Sequence, residues 1–534
     1  MNKSPKTIVL LCFLMFCKAF ANASVDNGIL QLTVDQGFLT AGKGNTNHIL
    51  LRINLKRNIT EEAPVLSGMR VSMDGTTDCN DISSLKVYAT QSPYLNGDIK
   101  SYSYLLAESK ITESGKTGSF DITFSSEYTP LNELNYLWLT ADISHSAKVG
   151  NQIDVRCDGI LCKEGAFMLI ESGNPEGTAC IYERQTMLFN PWDNGSEFYR
   201  IPAMIVMESE RYKGRILTVT DRRFNSNADL PNKIDLVARY SDDNGASWSK
   251  AKTIAGNHSQ GPDYGYGDAA IVETKSGKVV CLMAADRQFQ RSTYDDRIKV
   301  YQTSSNDGGK TWEQPHEISD LIYDAIYKDA PSKLQGVFVT SGKGLCLKHQ
   351  KRKSANGRIL FVMVCKFTSG PYCNYIVYSD DEGKTWDVSK EAAFVGGDEA
   401  KLVEEHDGTV IMSTRRKGER GFNISHDGGL NWGKGYTNKD LWGNSCNADM
   451  LIYSEDIYLH TMPNDTDRRN LTIYASKDKG KTWPYKYVFN SLSGAYSTIV
   501  KCADGSIGIY YEDGTMSGHY SMNFITLPLE WILR

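Results

Sequence analysis

Five carboxylates of this chain stand in one repeated setting. The pattern Ser-x-Asp-x-Gly-x-(Thr/Ser/Asn)-Trp runs over Ser241–Trp248, Ser305–Trp312, Ser379–Trp386, Ser425–Trp432 and Ser476–Trp483, with its acids at Asp243, Asp307, Asp381, Asp427 and Asp478. Five such acids could be five metal or catalytic sites. A feature present in every unit of a repeat more simply serves the folding of each unit. The Asp can accept from nearby backbone N–H groups, the Gly permits positive φ, and the Trp fills the space between sheets. Metal chemistry finds little else to use. No Cys-x-x-Cys pair occurs, and Cys157 and Cys162, the nearest spacing after residue 23, have no neighbouring His. A different kind of signal is Phe198-Tyr199-Arg200-Ile201-Pro202, an Arg set directly before an Ile-Pro at the start of the repeat region.

The elements that would hold these residues are strands. The 534 residues are 40% hydrophobic and 10% aromatic, enough to bury a core, and 46 Gly against 15 Pro punctuate many short Val/Ile/Thr-rich runs. An all-β protein is expected. The octapeptide starts lie 64, 74, 46 and 51 residues apart, and a four-stranded sheet with its loops needs about 40 to 50. Residues 183–534 therefore read as a six-bladed β-propeller in which one blade lacks the octapeptide. Residues 24–182 lack it altogether and show alternating runs such as His48–Leu55 and Leu137–Ile143. They read as a preceding β-sandwich, with turns at Met73-Asp74-Gly75 and Leu95-Asn96-Gly97 and a boundary near Gly173–Thr178. Its aromatics Tyr94, Tyr102, Tyr104, Tyr136 and Trp138 could line a glycan groove or fill a core.

Composition also bounds partners and address. Lys and Arg number 59 against 64 Asp and Glu, a net charge of −5 with no sustained basic run, which argues against nucleic acid. Lys3 and Lys6 precede an apolar run from Ile8 to Cys17 and the small-x-small sequence Ala21-Asn22-Ala23. This reads as a signal peptide over residues 1–23, too short to span a bilayer, and the product is expected to be exported to periplasm or medium.

The Arg-Ile-Pro sequence followed by several octapeptides (Asp boxes) resembles the bacterial exo-sialidases, or neuraminidases. The resemblance covers about two thirds of the chain. It implies removal of terminal sialic acid, whose anomeric carbon bears a carboxylate, from glycoproteins, glycolipids and oligosaccharides. Three Arg would clamp that carboxylate: Arg200; Arg415, in Ile411-Met412-Ser413-Thr414-Arg415; and Arg468, ahead of Asn470-Leu471-Thr472, with Arg469 beside it as the alternative. Tyr496, in Gly494-Ala495-Tyr496-Ser497-Thr498, matches the nucleophile, because a neutral attacking group escapes repulsion by the substrate carboxylate. Glu399 matches its base, and Asp229, in the loop 225–231, the general acid; Asp221 and Asp235 match less well. Glu512 resembles the residue that holds Arg200. Arg223 resembles an Arg that contacts the sugar, with Arg222 adjacent, and Asp268 an Asp that contacts substrate. The resemblance implies no metal or cofactor, and the chain is expected to be a monomer. A non-catalytic sialic-acid-binding propeller, or transfer or anhydro-sugar release at the same site, are the alternatives it leaves open. An Asp-box propeller acting on a neutral glycan is argued against by the Arg triad.

Overall fold

The computed structural model describes residues 28–95, 103–111, 118–170, 172–257, 261, 264–326, 333–516 and 519–534. The leader read over residues 1–23, the tip of the turn at Asn96-Gly97, and Tyr102 lie outside the described residues.

Alternation sets the amino-terminal part. Along His48–Arg57 the side chains of Leu51, Ile53 and Leu55 are fully buried, while Asn54 and Lys56, on either side of Leu55, are only half covered. That is the two-residue period of a strand with one face on a core. This strand lies in a five-stranded sheet in the order Ile29–Gln36, His48–Arg57, Leu134–Ile143, Ile82–Thr90, Tyr104–Ser109. A second sheet runs Phe167–Leu169, Arg156–Cys162, Leu66–Ser72, Ser119–Tyr128. Leu51, Ile53 and Leu55 of the first share one core with Leu66, Met69, Val71, Ile122 and Ile160 of the second, so the sheets face each other. Trp138 is buried and donates to Thr90 Oγ1 at 2.8 Å; it fills core, whereas Tyr104 is exposed.

The rest of the chain is a series of antiparallel meanders. Phe198–Val206, Ile216–Arg223, Ile234–Ser241 and Lys252–Ala255 pair in chain order, and Tyr266–Glu273, Val279–Ala285, Lys299–Ser305 and His316–Glu317 repeat the plan. Further sheets are built on Ile359–Phe367 and Cys373–Ser379, and on Ala400–Glu404, Val410–Thr414, Gly418–Ser425 and Tyr436–Gly443. The last sheet has seven strands because Tyr485–Lys501 serves two meanders: it ends the one begun by Asp449–Ser454 and begins the one completed by Ile507–Asp513, Ser521–Leu527 and Arg184–Phe189. Among the described residues, α-helix is confined to Ser319–Ile326 and Leu529–Ile532.

Register fixes which end of each meander is which. Arg200 pairs with Asp221, Val206 with Ile216, and Ile216 with Ser241. The octapeptide that starts at Ser241 is thus at the end remote from Arg200. In all five octapeptides the Ser hydroxyl donates to the Asp at 2.7–2.9 Å. The residue before the Trp donates its N–H to the same carboxylate at 2.8–2.9 Å. Burial pushes these carboxyls up, but the hydrogen bonds outweigh it and hold them below the usual range.

Candidate active site

Three of the expected site residues sit in β-bulges of the strand that opens or shares their meander. Register slips between Arg200 and Ala203, between Gly267 and Ala270, and between Gly494 and Ser497. A bulge re-aims a side chain out of the alternating pattern. At the first, Pro202 has no N–H to give to the ladder and Ile201 takes φ +64°; at the second, Asp268 takes φ +57°.

Glu512 locks two of these strands together. It is wholly buried and accepts from Arg200 Nε (3.0 Å) and Nη2 (3.1 Å), from the Ile201 N–H (2.8 Å) and from the Tyr496 N–H (3.0 Å). Burial pushes the Glu512 carboxyl up, but the Arg200 charge and these bonds prevail and hold it below the usual range. One carboxylate therefore sets both the guanidinium and the backbone of the tyrosine.

Around the Tyr496 ring stand the three expected arginines. The Arg200 and Arg468 guanidinium carbons lie 5.1 and 5.4 Å from its centroid, and Arg415 Nη1 donates to its hydroxyl oxygen at 2.9 Å. The hydroxyl donates to Glu399 Oε2 at 2.8 Å, and Arg415 Nη1 reaches the same oxygen at 2.5 Å. Burial, then the Glu399 charge, push Tyr496 well above its ordinary value, with Arg415 and Arg200 opposing. The proton therefore stays on tyrosine, aimed at Glu399. The neighbouring arginines separate cleanly: Arg468 faces the tyrosine, whereas Arg469 is exposed and lies 3.8 Å from Asp465.

The acid side of the site is a second cluster. Asp229 is 62% exposed on its loop and accepts from Arg223 Nη1 at 2.9 Å. Arg223, expected to touch the sugar, is buried and turned onto the protein: its Nη1 also reaches the Asn227 carbonyl at 2.7 Å, and its Nε and Nη2 reach Asp221 at 3.3 and 3.0 Å. Its geometry is that of a brace for the Asp229 loop. Arg222 points elsewhere, pairing with Asp235 at 2.5 Å. Asp221 also accepts from the Asp268 N–H at 3.2 Å, and burial pushes it up to about 6, with Arg223 opposing and Asp229 adding. The Asp268 carboxyl is raised by burial and then by the charges of Asp221, Asp229 and Glu399, which ties the acid cluster electrostatically to the tyrosine side.

Several positioning residues escaped the sequence reading. Ser445 Oγ accepts from Arg415 Nε at 2.9 Å, Ser341 Oγ lies 3.3 Å from Glu399 Oε1, and Tyr520 stacks under Arg200 at 5.2 Å. Nothing in their local sequence distinguishes them; Asp221, weighed from sequence as a weaker match for the general acid, instead holds Arg223, two residues on along the same strand and so on its face. A cavity of about 910 Å³ lined by Val206, Glu273, Lys348, Glu404 and Lys501 includes none of the expected site residues and lies at the opposite strand ends. Among the described residues no three His, Cys, Asp or Glu form a group that could hold a metal ion.

A family profile described as BNR repeat-like domain matches residues 223–509. The chain belongs to the BNR repeat-like family. That span takes in Asp229, Asp268, Glu399, Arg415, Arg468 and Tyr496 and leaves out Arg200 and Glu512. Among proteins similar to this member of the family, a sialidase of Micromonospora viridifaciens is 28% identical over 380 residues, 67% of this chain and 55% of that protein. A sialidase of Bacteroides fragilis is 24% identical over 463 residues, 81% of this chain and 79% of that protein. The chain thus spans about half the length of the first relative and most of the second. In fold it is similar to a solved Hadza microbial sialidase, with a TM-score of 0.66 at 20% identity over 93% of this chain and 99% of that one.

Proposed function

We propose that this protein is an exo-α-sialidase, a glycoside hydrolase that releases terminal sialic acid from sialylated glycans with retention of anomeric configuration. The observation that carries this reading is the 2.8 Å hydrogen bond from the Tyr496 hydroxyl to Glu399, with Arg200, Arg415 and Arg468 grouped about the tyrosine. The matched sialidases support it. Guanidinium groups stay charged and fork onto carboxylates, so the three arginines grip the substrate carboxylate and thereby bring the anomeric carbon that bears it to the Tyr496 hydroxyl. Tyr496 attacks that carbon as its proton passes to Glu399 Oε2; a second carboxylate there would be repelled by the first. Asp229 protonates the departing glycan oxygen. Water then attacks the tyrosyl adduct, Asp229 takes the water proton, and Tyr496 recovers its own from Glu399. Asp268 binds the sugar, and Arg223 holds the Asp229 loop. The scheme needs no cofactor.

The meanders are read as six blades closed into a propeller by Arg184–Phe189, preceded by a sandwich over 24–182, in a monomer exported after loss of residues 1–23. No described helix is long and apolar enough to cross a membrane. The test is time-resolved proton NMR of the purified protein with sialyllactose. Early free α-anomer supports retaining hydrolysis, an anhydro sugar assigns intramolecular transfer instead, and absence of any release assigns a sialic-acid-binding protein.

A further inference from the structure

Behind Glu399 a chain of buried polar groups runs away from the substrate side. Ser341 Oγ lies 3.3 Å from Glu399 Oε1, Asn447 Nδ2 lies 2.9 Å from Ser341 Oγ, and Lys401 Nζ lies 2.8 Å from Asn447 Oδ1. All four residues are buried. Chemistry fixes the direction of every bond. An ammonium only donates, and so does the Ala448 N–H that also reaches Asn447 Oδ1 at 2.9 Å, so that atom is the amide oxygen. The amide nitrogen then donates to Ser341, and the serine hydrogen is left for a carboxylate that only accepts. Three donors in series point from the ammonium to Oε1, while Oε2 faces Tyr496 and Arg415.

The backbone makes room for this lysine. Gly342 has φ +114°, and a Cβ there would come within 2.6 Å of Lys401 Cε. The charged groups that face Lys401 are Asp449 and Glu399, which favour its charge, and Arg420 and Lys343, which oppose it. His460, also near it, is held neutral by burial and by Arg420 and Lys401. Burial outweighs the acids and brings Lys401 down to about 8.

We propose that Lys401 is a positioning residue for the Tyr496–Glu399 couple: through Asn447 and Ser341 it fixes Oε1 as an acceptor and leaves Oε2 to take the tyrosine proton and hand it back. This rests on the sialidase reading above. In the first half-reaction the C2–Oη bond forms as the C2–glycan oxygen bond breaks, and the Tyr496 proton goes to Oε2. In the second a water oxygen bonds to C2, the C2–Oη bond breaks, and Oη takes that proton back. The Lys401 ammonium attracts the Glu399 carboxylate, whose charge is lost in the first step and restored in the second. It therefore restrains the first step and speeds the second.

The experiment compares the full-length wild type with Lys401→Met, using 2,3-difluorosialic acid to form the adduct and a fluorogenic sialoside for turnover. Expected for the variant is an adduct that persists about five to ten times longer, formed at an unchanged or higher rate, with KM within about twofold. The wild-type kcat should decline through an alkaline limb near pH 8, set by Lys401, that the variant lacks. Both half-reactions slowed alike with the limb intact, or kinetics identical to wild type, would overturn the proposal and leave the sialidase reading standing. If wild type itself releases no sialic acid and forms no adduct, both fall. Should Lys401→Met not fold, Ser341→Ala removes a single hydroxyl from the same chain and must lengthen adduct lifetime by the same reasoning; an unchanged lifetime overturns the proposal.

Discussion

Tyr496→Phe keeps the ring between Arg200 and Arg468 and removes only the oxygen that would form the adduct. Turnover of a fluorogenic sialoside should fall by about a thousandfold or more while the affinity for sialic acid, read by calorimetry, stays within a few fold. Retained turnover would remove tyrosine from the role of nucleophile. Glu512→Gln asks more of the fold, because it leaves Arg200 charged and buried without a counter-charge. Breaking a buried pair of this kind costs about 3 to 5 kcal/mol, so urea unfolding should shift to lower concentration and KM should rise. The folded Glu512 carboxyl lies below its unfolded value; its stabilisation is full above about pH 4.5 and is lost as pH falls through the folded value, and Glu512→Gln should flatten that acid limb. Arg200, Glu399, Arg415, Arg468 and Tyr496 could be picked out from sequence because each sits in a recognisable stretch. Arg223 shows where such reading runs out: its residue type and position were found, but the direction of its guanidinium was decided by Asp221 and the Asn227 carbonyl.

The octapeptide turns are a matter of elements. Asp478 accepts from Ser476 Oγ and from the Thr482 N–H and hydroxyl at 2.7, 2.9 and 2.7 Å. Asp478→Ala removes all three bonds, for a loss of about 1 to 2 kcal/mol, visible in thermal melting. Because such turns lie at the end of the strand remote from the arginines, as the Val206–Ile216–Ser241 register demonstrates, kcat and KM should be unchanged; a large fall in kcat would mean that these acids do chemistry after all. The turns made the meanders legible in the sequence. The meander completed by Arg184–Phe189 has no octapeptide to announce it, since one of its strands comes from far earlier in the chain. Helix Ser319–Ile326 was also missed: it occupies the longest interval between octapeptides and settles by burying Ile322, Tyr323 and Ile326 against neighbouring strands, a tertiary preference that eight residues of sequence do not display.

Across the whole molecule the join between the two parts is packed rather than linked. Ala179–Tyr182 pairs with Thr40–Gly42 and Gln152–Ile153 of the amino-terminal part, yet Cys180 and Tyr182 lie in one core with Leu471, Ile509, Tyr511 and Leu527. Thr40 Oγ1 meets the Tyr511 hydroxyl at 2.8 Å, Asn190 Nδ2 reaches the Leu95 carbonyl at 2.9 Å, and Tyr182 packs on Trp531. Calorimetry should therefore record one unfolding transition, and two resolved transitions would contradict this coupling. A pH titration sharpens the test, because His48 belongs to the amino-terminal part. Burial brings its pKa down to about 4, with the bond to the Phe38 carbonyl opposing. The unfolded chain takes up that proton near pH 6.5 and the folded chain only near 4, so the contribution of neutral His48 is complete above pH 6.5 and is lost as pH falls toward 4, a loss of roughly 3 kcal/mol. If the parts are one cooperative body, the loss lowers the melting temperature of the entire molecule, tryptophans of the carboxy-terminal octapeptides included. In His48→Gln that fluorescence melt should depend less steeply on pH between 6.5 and 4; an unaltered slope would mean that the amino-terminal part unfolds alone.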